Sequence, residues 1–539
     1  MTEWEAPGPG PWQQDSAHMP VATSRAMRDI YPEGFNRGFT ETFARYGMLL
    51  DRLAMGEANG FIYHQPQPFD MPGPDGPMSE EEIGAEIGRR MAIAEDAFAN
   101  KLWRQDLQLW DEVCKPEAIA RHLALSDVEL ESLSDAELVG HLGEVVEHNL
   151  AMAYQHHRFN MAALVPVGDL AIQTSGWTGG PPTAVFDLLD GYSPISGIAP
   201  PEMSDALEAI RADADARRLV KAPGDAGARL DQLRSTLPAV DAYVRLVDSR
   251  IIDGFDFVAT TLREHPEIIL NKLATALDED PGVALRRADE AAAELRTQVP
   301  EEHRDAFDEL VVEARLVYRL RDERGLYSDI PAMGLLRFAM LEIGRRAVER
   351  GSADQAEHLL EATPDEAIAI LGGGGPSADE LAQWGEERRA LTAEGAPRHL
   401  GPPPPAPPPV DQLPPALGRL MAAAGFIIMD GILGELDQAA GDDSVVVGMS
   451  GNGGMVEGVA RRIDEIDDLL DLEEGEIVVA ASTGEAFNSI LHMVGGIVTD
   501  HGGFLCHAAI VARESGFPAV VGTVDGTSRI STGDRIRVN

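Results

Sequence analysis

Cysteine is nearly absent from this chain. Cys114 and Cys506 are the two copies among 539 residues, which excludes a disulfide framework and a cysteine-built metal centre. Lysine is almost as scarce, at Lys101, Lys115, Lys221 and Lys272, so any phosphate chemistry has to use arginine, backbone N–H groups or a partner. Positive charge as a whole is short: 44 Lys and Arg against 90 Asp and Glu leave a formal net charge of −46. A chain without a basic footprint is not expected to bind nucleic acid, and an acidic surface favours solubility and repels anions. No apolar run approaches the ~20 residues of a membrane span. The opening Met1-Thr2-Glu3-Trp4-Glu5 lacks the basic and apolar regions of a signal peptide, so the cytoplasm is the expected location. A G-x-x-x-x-G-K-[ST] phosphate loop is missing too.

What is present describes a soluble globular chain long enough for two to four domains, with 44% hydrophobic and 25% charged residues. Residues 1–75, rich in Pro, Gly and aromatics, read as an irregular packed lead-in. From Ser79 the pattern turns helical: Glu80, Glu81 and Glu82 suit a first turn, and Ile83, Ile87, Met91 and Ala94 follow along one face. Amphipathic stretches run through 117–124, 135–163, 202–217, 227–249, 283–297 and 303–323. His148, His156 and His157 on the second of these invite a metal reading. It is set aside because adjacent helical residues point apart and His148 lies more than two turns away; no metal site is expected. Gly372–Pro376 reads as a loop, Gly401–Pro409 as an extended spacer, and Pro415–Ala439 as a last helix. Near Asp442 the composition changes to short β-branched runs: Val445–Gly448, Gly458–Ala460, Gly475–Ala481 and Asp534–Val538.

The stretch from Gly495 to Gly522 carries the most chemistry. Ile497 and Val498 form a buried strand, Gly502-Gly503 allow a sharp turn, and a helix opens at His507. Gly516 and Pro518 end it before the strand Ala519-Val520-Val521. His507 is thereby presented at a helix N-terminus, where unpaired N–H groups and the helix dipole favour a phosphate-like anion. The same field disfavours imidazolium and keeps the ring neutral and nucleophilic. Thr499, Gly502, Gly503, His507, Ala508, Ala509, Ile510, Ala512, Arg513, Glu514, Gly516, Pro518, Ala519, Val520 and Gly522 resemble the mobile phosphohistidine domain of the family of phosphoenolpyruvate synthase, pyruvate phosphate dikinase and rifampicin phosphotransferase. The resemblance implies that His507 carries a phosphoryl group and that Gly502 and Gly503 form the turn cradling it. Arg513 then either supports the site or forms a salt bridge. Leu505 departs from the family, which often has Thr or Ser two residues before the histidine.

Upstream, Trp12, Asp15, His18 and Pro20 form a W-x-x-D-x-x-H-x-P cluster similar to the start of the acceptor-binding module in rifampicin- and phenol-phosphorylating relatives. Asp187–Ser193, Ile251–Phe257 with Glu264–Glu267, and Tyr318–Glu323 with Arg337 and Gly344–Arg346 are similar to later parts of that module. Alternatively, those arginines pair with neighbouring carboxylates. The fold expected is a large mainly α acceptor domain over 1–440, with a proline-rich spacer about 396–415, and a C-terminal α/β swivelling phosphohistidine domain over 441–539. Asp15, His18 and Asp253 are the candidate bases for the acceptor hydroxyl. Because the sequence stops at Asn539 and shows neither pyruvate barrel nor nucleotide domain, the resemblance implies a separate ATP-grasp subunit. That subunit would hold ATP with Mg²⁺, and the acceptor would be a phenolic hydroxyl, giving an aryl phosphate, AMP and phosphate. The alternatives are a rifamycin-type antibiotic phosphotransferase component and a phosphocarrier without a small-molecule acceptor.

Overall fold

The computed structural model describes residues 4–539 except 17, 20, 72–75, 196–199, 253, 279, 281, 392–394, 405–408, 429–443, 465, 484–486 and 488–492. Asp253, Pro20, much of the proline run, the end of the helix expected to reach Ala439 and the domain start at Asp442 therefore lie outside the described residues. The chain forms two compact units, one of 1–162, 249–261 and 323–421, the other of 163–248, 262–322 and 422–539.

The first unit joins helices to a four-stranded antiparallel sheet. Its strands are β1 (Trp12–Gln14), β2 (Leu50–Ala58), β3 (Phe61–Pro68) and β4 (His399–Leu400), in the order β2-β3-β1-β4. The lead-in is thus regular, contrary to its composition. A helix, α1 (Arg25–Tyr46), occupies its middle despite Pro32, Gly34 and Gly38. Those glycines read as breakers, yet they let α1 press against α2 (Asp135–Arg158): a Cβ on Gly34 would lie 2.6 Å from Leu150 O, and one on Gly38 2.7 Å from His157 Cβ. Asn59 and Gly60, both at positive φ, make the two-residue turn joining β2 to β3. The spacer likewise opens with a strand, β4, whose His399 and Leu400 pair with Gln13 and Trp12. Ser79 caps the helix Glu80–Ala99 in a reciprocal bond with Glu82, as its sequence indicates.

A further helix of this unit, α3 (Asp329–Glu349), makes a close backbone approach at Gly334, where a Cβ would fall 1.7 Å from Ser249 O. Gly334→Ala is expected to force the backbones apart, costing about 1–3 kcal/mol and several degrees of melting temperature. Gly140→Ala on α2, where nothing lies within 4 Å, is the control and should be neutral or stabilising. Equal midpoints for the two variants would contradict this packing.

The second unit contains helices including Ser204–Ala212, Ala226–Thr236, Pro238–Val247, Gly282–Gln298 and Arg304–Val317, close to the stretches expected from periodicity, and Pro266–Ala276, which lies outside them. Its sheet has six strands: β5 (Met449–Asn452), β6 (Val456–Ile463), β7 (Ile477–Ala480), β8 (Gly496–Thr499), β9 (Ala519–Val521) and β10 (Arg535–Val538). The order is β10-β6-β7-β8-β9-β5; the four central strands are parallel and the two edge strands antiparallel. Every residue of β7 and β8 is buried, as parallel strands covered on both faces require. Ala460, Ile477, Val479, Val498, Ile530 and Val538 make a common core. The first strand begins at Met449 and not at Val445; Val445 and Val447 are exposed and lie outside any strand.

Candidate active site

The chain leaves the C-terminal end of β8, turns, and enters α4 (His507–Ser515), the end of a parallel sheet at which ligands are commonly held. Polar bonds fix the turn. Asp500 accepts from Thr523 Oγ1 at 3.1 Å and from the Thr527 amide at 2.9 Å, while the Asp500 amide donates to Ala480 O at 3.2 Å. Gly502 stands at φ +99°, and a Cβ there would meet Cys506 Cβ at 2.6 Å, so this position requires glycine. Gly503 O accepts from the Cys506 amide at 3.0 Å, closing the loop just before the helix. The helix ends at Gly516 in the left-handed conformation, φ 82°.

His507 is the first residue of α4 and is half-buried. Its Nδ1 lies 2.8 Å from Thr483 Oγ1, a partner that sequence reading missed because it is 24 residues away in an unpatterned segment. In the tautomer where Nδ1–H donates to this hydroxyl, Nε2 bears the lone pair and is the nucleophilic nitrogen. Arg513 serves the scaffold: its buried guanidinium donates to Gly451 O at 2.8 Å and Phe504 O at 2.9 Å, and stacks 5.4 Å from the Phe186 ring. Through these carbonyls it joins α4, β5 and the turn. Arg321 donates to Leu505 O at 2.9 Å, which holds the turn one residue before the helix cap. Phe504 stacks between Phe186 and Phe426 at 5.2 and 5.1 Å.

A second concentration of titratable groups lies in the first unit, where the sheet brings Asp15, His18 and His64 together. The Asp15 amide donates to Ile62 O at 2.9 Å, and Gln13 pairs with His64, so the residue after β1 faces the middle of β3. Asp15 Oδ2 is 2.7 Å from His64 Nε2, and its two oxygens are 3.0 and 3.2 Å from His18 Nδ1. Burial pushes the Asp15 carboxyl up, but the charges and hydrogen bonds of His18 and His64 outweigh it and hold the group well below the ordinary carboxylate range. Burial pulls His18 down, and Asp15 more than restores it, leaving the imidazole raised. Asp15 is 4% exposed and His18 39%, so the carboxylate is the buried anchor and the imidazole the accessible group.

Aromatic rings extend this cluster. Phe35 stacks on His64 at 4.9 Å and packs 4.3 Å from His157; Phe255 sits 5.7 Å from His18. His156 and His157 do not point apart, as their adjacency in a helix suggested. At the final turn of α2 their rings stack at 4.4 Å and 7°. His156 Nδ1 is 2.6 Å from Asp329 Oδ2, to which Tyr31 also donates at 2.6 Å. Burial raises Asp329 to about 7 and holds both histidines well below their usual range. Nothing local in the sequence announces Asp329, His64 or Tyr31. Of the arginines in the acceptor-like pattern, Arg345 and Arg346 pair with Glu342, and Arg337 donates to Val258 O at 2.9 Å.

Residues 472–539 match the family described as PEP-utilising enzyme, mobile domain. The chain is 25% identical over 369 residues to rifampicin phosphotransferase of Bacillus cereus, covering 66% of this chain and 38% of that protein. It is 29% identical over 326 residues to chondramide synthase of Chondromyces crocatus, covering 57% of this chain and 8% of that protein. Over 82 residues it is 40% identical to phosphoenolpyruvate synthase of Deinococcus radiodurans, 15% of this chain and 10% of that protein. The chain thus spans well under half the length of these relatives. No helix among the described residues is long and apolar enough to cross a membrane.

Proposed function

We propose, from the premise that residues 472–539 belong to the mobile-domain family of phosphoenolpyruvate-utilising enzymes and that the chain is related to the rifampicin phosphotransferases, that His507 receives a phosphoryl group and passes it to a hydroxyl. The observation that carries this reading is the 2.8 Å contact of Thr483 with Nδ1 of a histidine opening a helix. It directs Nε2 to attack while the helix N-terminus stabilises the equatorial oxygens. ATP with Mg²⁺, bound on an ATP-grasp subunit outside these residues, is the proposed donor, and AMP and phosphate are the co-products. Thr483→Val is expected to slow labelling of His507 by about tenfold, the loss of one aligning hydrogen bond of ~1–1.5 kcal/mol, and Thr483→Ser to restore it. A Val variant labelled at the wild-type rate contradicts the role given to Thr483. The chain alone should show no micromolar ATP binding by calorimetry; binding at that level sinks the partner-subunit reading.

The acceptor is proposed to be a phenol held in the first unit. Phe35 and Phe255 offer apolar faces, and Asp15, ionised, aligns His18 Nδ1 so that the opposite ring nitrogen takes the hydroxyl proton. A phenol, with pKa near ~10, needs less help than an aliphatic alcohol. The second reading is a rifamycin-type acceptor, favoured by similarity to rifampicin phosphotransferase across 66% of the chain. Reconstitution with the ATP-grasp partner and a panel of phenol, para-alkylphenols and a rifamycin separates them: aryl phosphate with AMP supports the first, and transfer to the rifamycin alone supports the second.

A further inference from the structure

We propose that His156, His157 and Asp329 form a binding site for one divalent transition-metal ion. These residues meet where the last turn of α2 approaches the first residue of α3. One ligating atom from each lies within 4.8 Å of the others, and all three side chains are buried. Bonds of about 2.0–2.2 Å from two imidazoles and a carboxylate then need side-chain shifts of roughly an ångström.

The competing reading is a self-contained hydrogen-bond network. Against it stands the distribution of the bonds: Tyr31 and His156 both converge on Asp329 Oδ2, whereas Oδ1, on a residue 1% exposed, meets no donor in hydrogen-bond geometry, the amides of Asp329 and Ile330 at the start of α3 acting on the carboxylate through their dipoles. Buried carboxylate oxygens are rarely left so, and an ion on that oxygen accounts for it. Tyr31, 3.0 Å from His157 Nε2, then becomes an outer partner orienting the carboxylate. Of the charges nearby, Arg324 and protonated His18 oppose a cation, while Asp15 and Asp329 favour one. Two nitrogens and one hard oxygen suit Zn²⁺, Co²⁺, Fe²⁺ or Mn²⁺ better than Mg²⁺ or Ca²⁺, and three protein ligands leave a position open for water or a substrate oxygen.

The site stands on its ligand set and not on the identity of the acceptor, so its test reads metal binding alone. The full chain is stripped with a chelator, washed at high salt to remove ions held loosely by the acidic surface, and titrated with Zn²⁺, Mn²⁺ and Co²⁺. The expected result is one ion per chain for at least one of the three, with a visible d–d band if Co²⁺ occupies the site. Asp329→Asn, nearly the same shape, should weaken binding by more than the ~10–100-fold typical of losing an outer-shell partner, with unchanged circular dichroism. His156→Asn should act alike. Failure of the wild-type chain to bind any of the three stoichiometrically at micromolar concentration overturns the site. So does binding that Asp329→Asn leaves unaltered.

Discussion

A chain carrying His507→Ala is expected to take up no acid-labile, base-stable label from β-labelled ATP in the presence of its ATP-binding partner, where the wild-type chain labels fully. The loss should be complete, because the proposal gives the phosphoryl group one point of attachment. The fold should survive. His507 is half-buried at the start of α4, and the bonds fixing the turn come from Asp500, Cys506 and Arg513. Removing the imidazole forfeits the Thr483 contact, a change of about 1 kcal/mol. Unchanged circular dichroism with zero label therefore isolates the chemistry from the scaffold. Arg513→Ala should behave differently: it strips two carbonyls of their donor and should lower the melting temperature along with labelling. Label at wild-type level in His507→Ala would mean that another nucleophile carries the group.

The second large effect is expected at the acceptor step. Asp15→Asn and His18→Asn should each slow transfer from phospho-His507 to a phenol by about 10²–10⁴-fold while leaving labelling of His507 untouched. Asp15 is the common partner of His18 and His64, so its neutral amide removes both the charge that raises His18 and the acceptor that sets its tautomer. The sign of the pH effect follows. His18 is raised by Asp15, so with the wild-type chain the rate limited by its unprotonated form should climb at a higher pH than in Asp15→Asn, whose smaller residual rate should rise earlier. An acceptor step as fast in both variants as in the wild-type chain would remove this cluster from the reaction.

The sequence was most readable where local rules suffice. Gly502, Gly516 and Pro518 punctuate the turn and helix around His507, and their conformations follow from short-range backbone sterics. Most helical stretches of the second unit, Pro266–Ala276 excepted, were legible from periodicity, with breaks where Asp213 caps a new helix and Pro238 opens another. α1 was not, because Pro32, Gly34 and Gly38 oppose helix by propensity while the close fit of α1 on α2 rewards it. At the Asn59-Gly60 hairpin the turn dipeptide is the signal; β2 before it holds no β-branched or aromatic residue, and Phe61-Ile62-Tyr63 after it is the part with strand character. At the sites, the similarity of the W-x-x-D-x-x-H-x-P cluster to an acceptor-binding module brought out Asp15 and His18. His64, Thr483 and Asp329 join their partners across 49, 24 and 173 residues, separations at which no periodicity connects them. The stacking of His156 on His157 contradicts the 100° rule for neighbours because both rings are turned into one buried cluster of aromatics at the end of a helix.

The most direct measurement is a chase of the isolated phosphorylated chain. Wild-type chain is labelled by the ATP-binding partner, freed of nucleotide, and mixed with phenol. The account predicts that label leaves His507 and appears mole for mole as phenyl phosphate, faster than it is lost to water without acceptor. Label that stays on the chain, or that is released as inorganic phosphate at one rate with and without phenol, would contradict it.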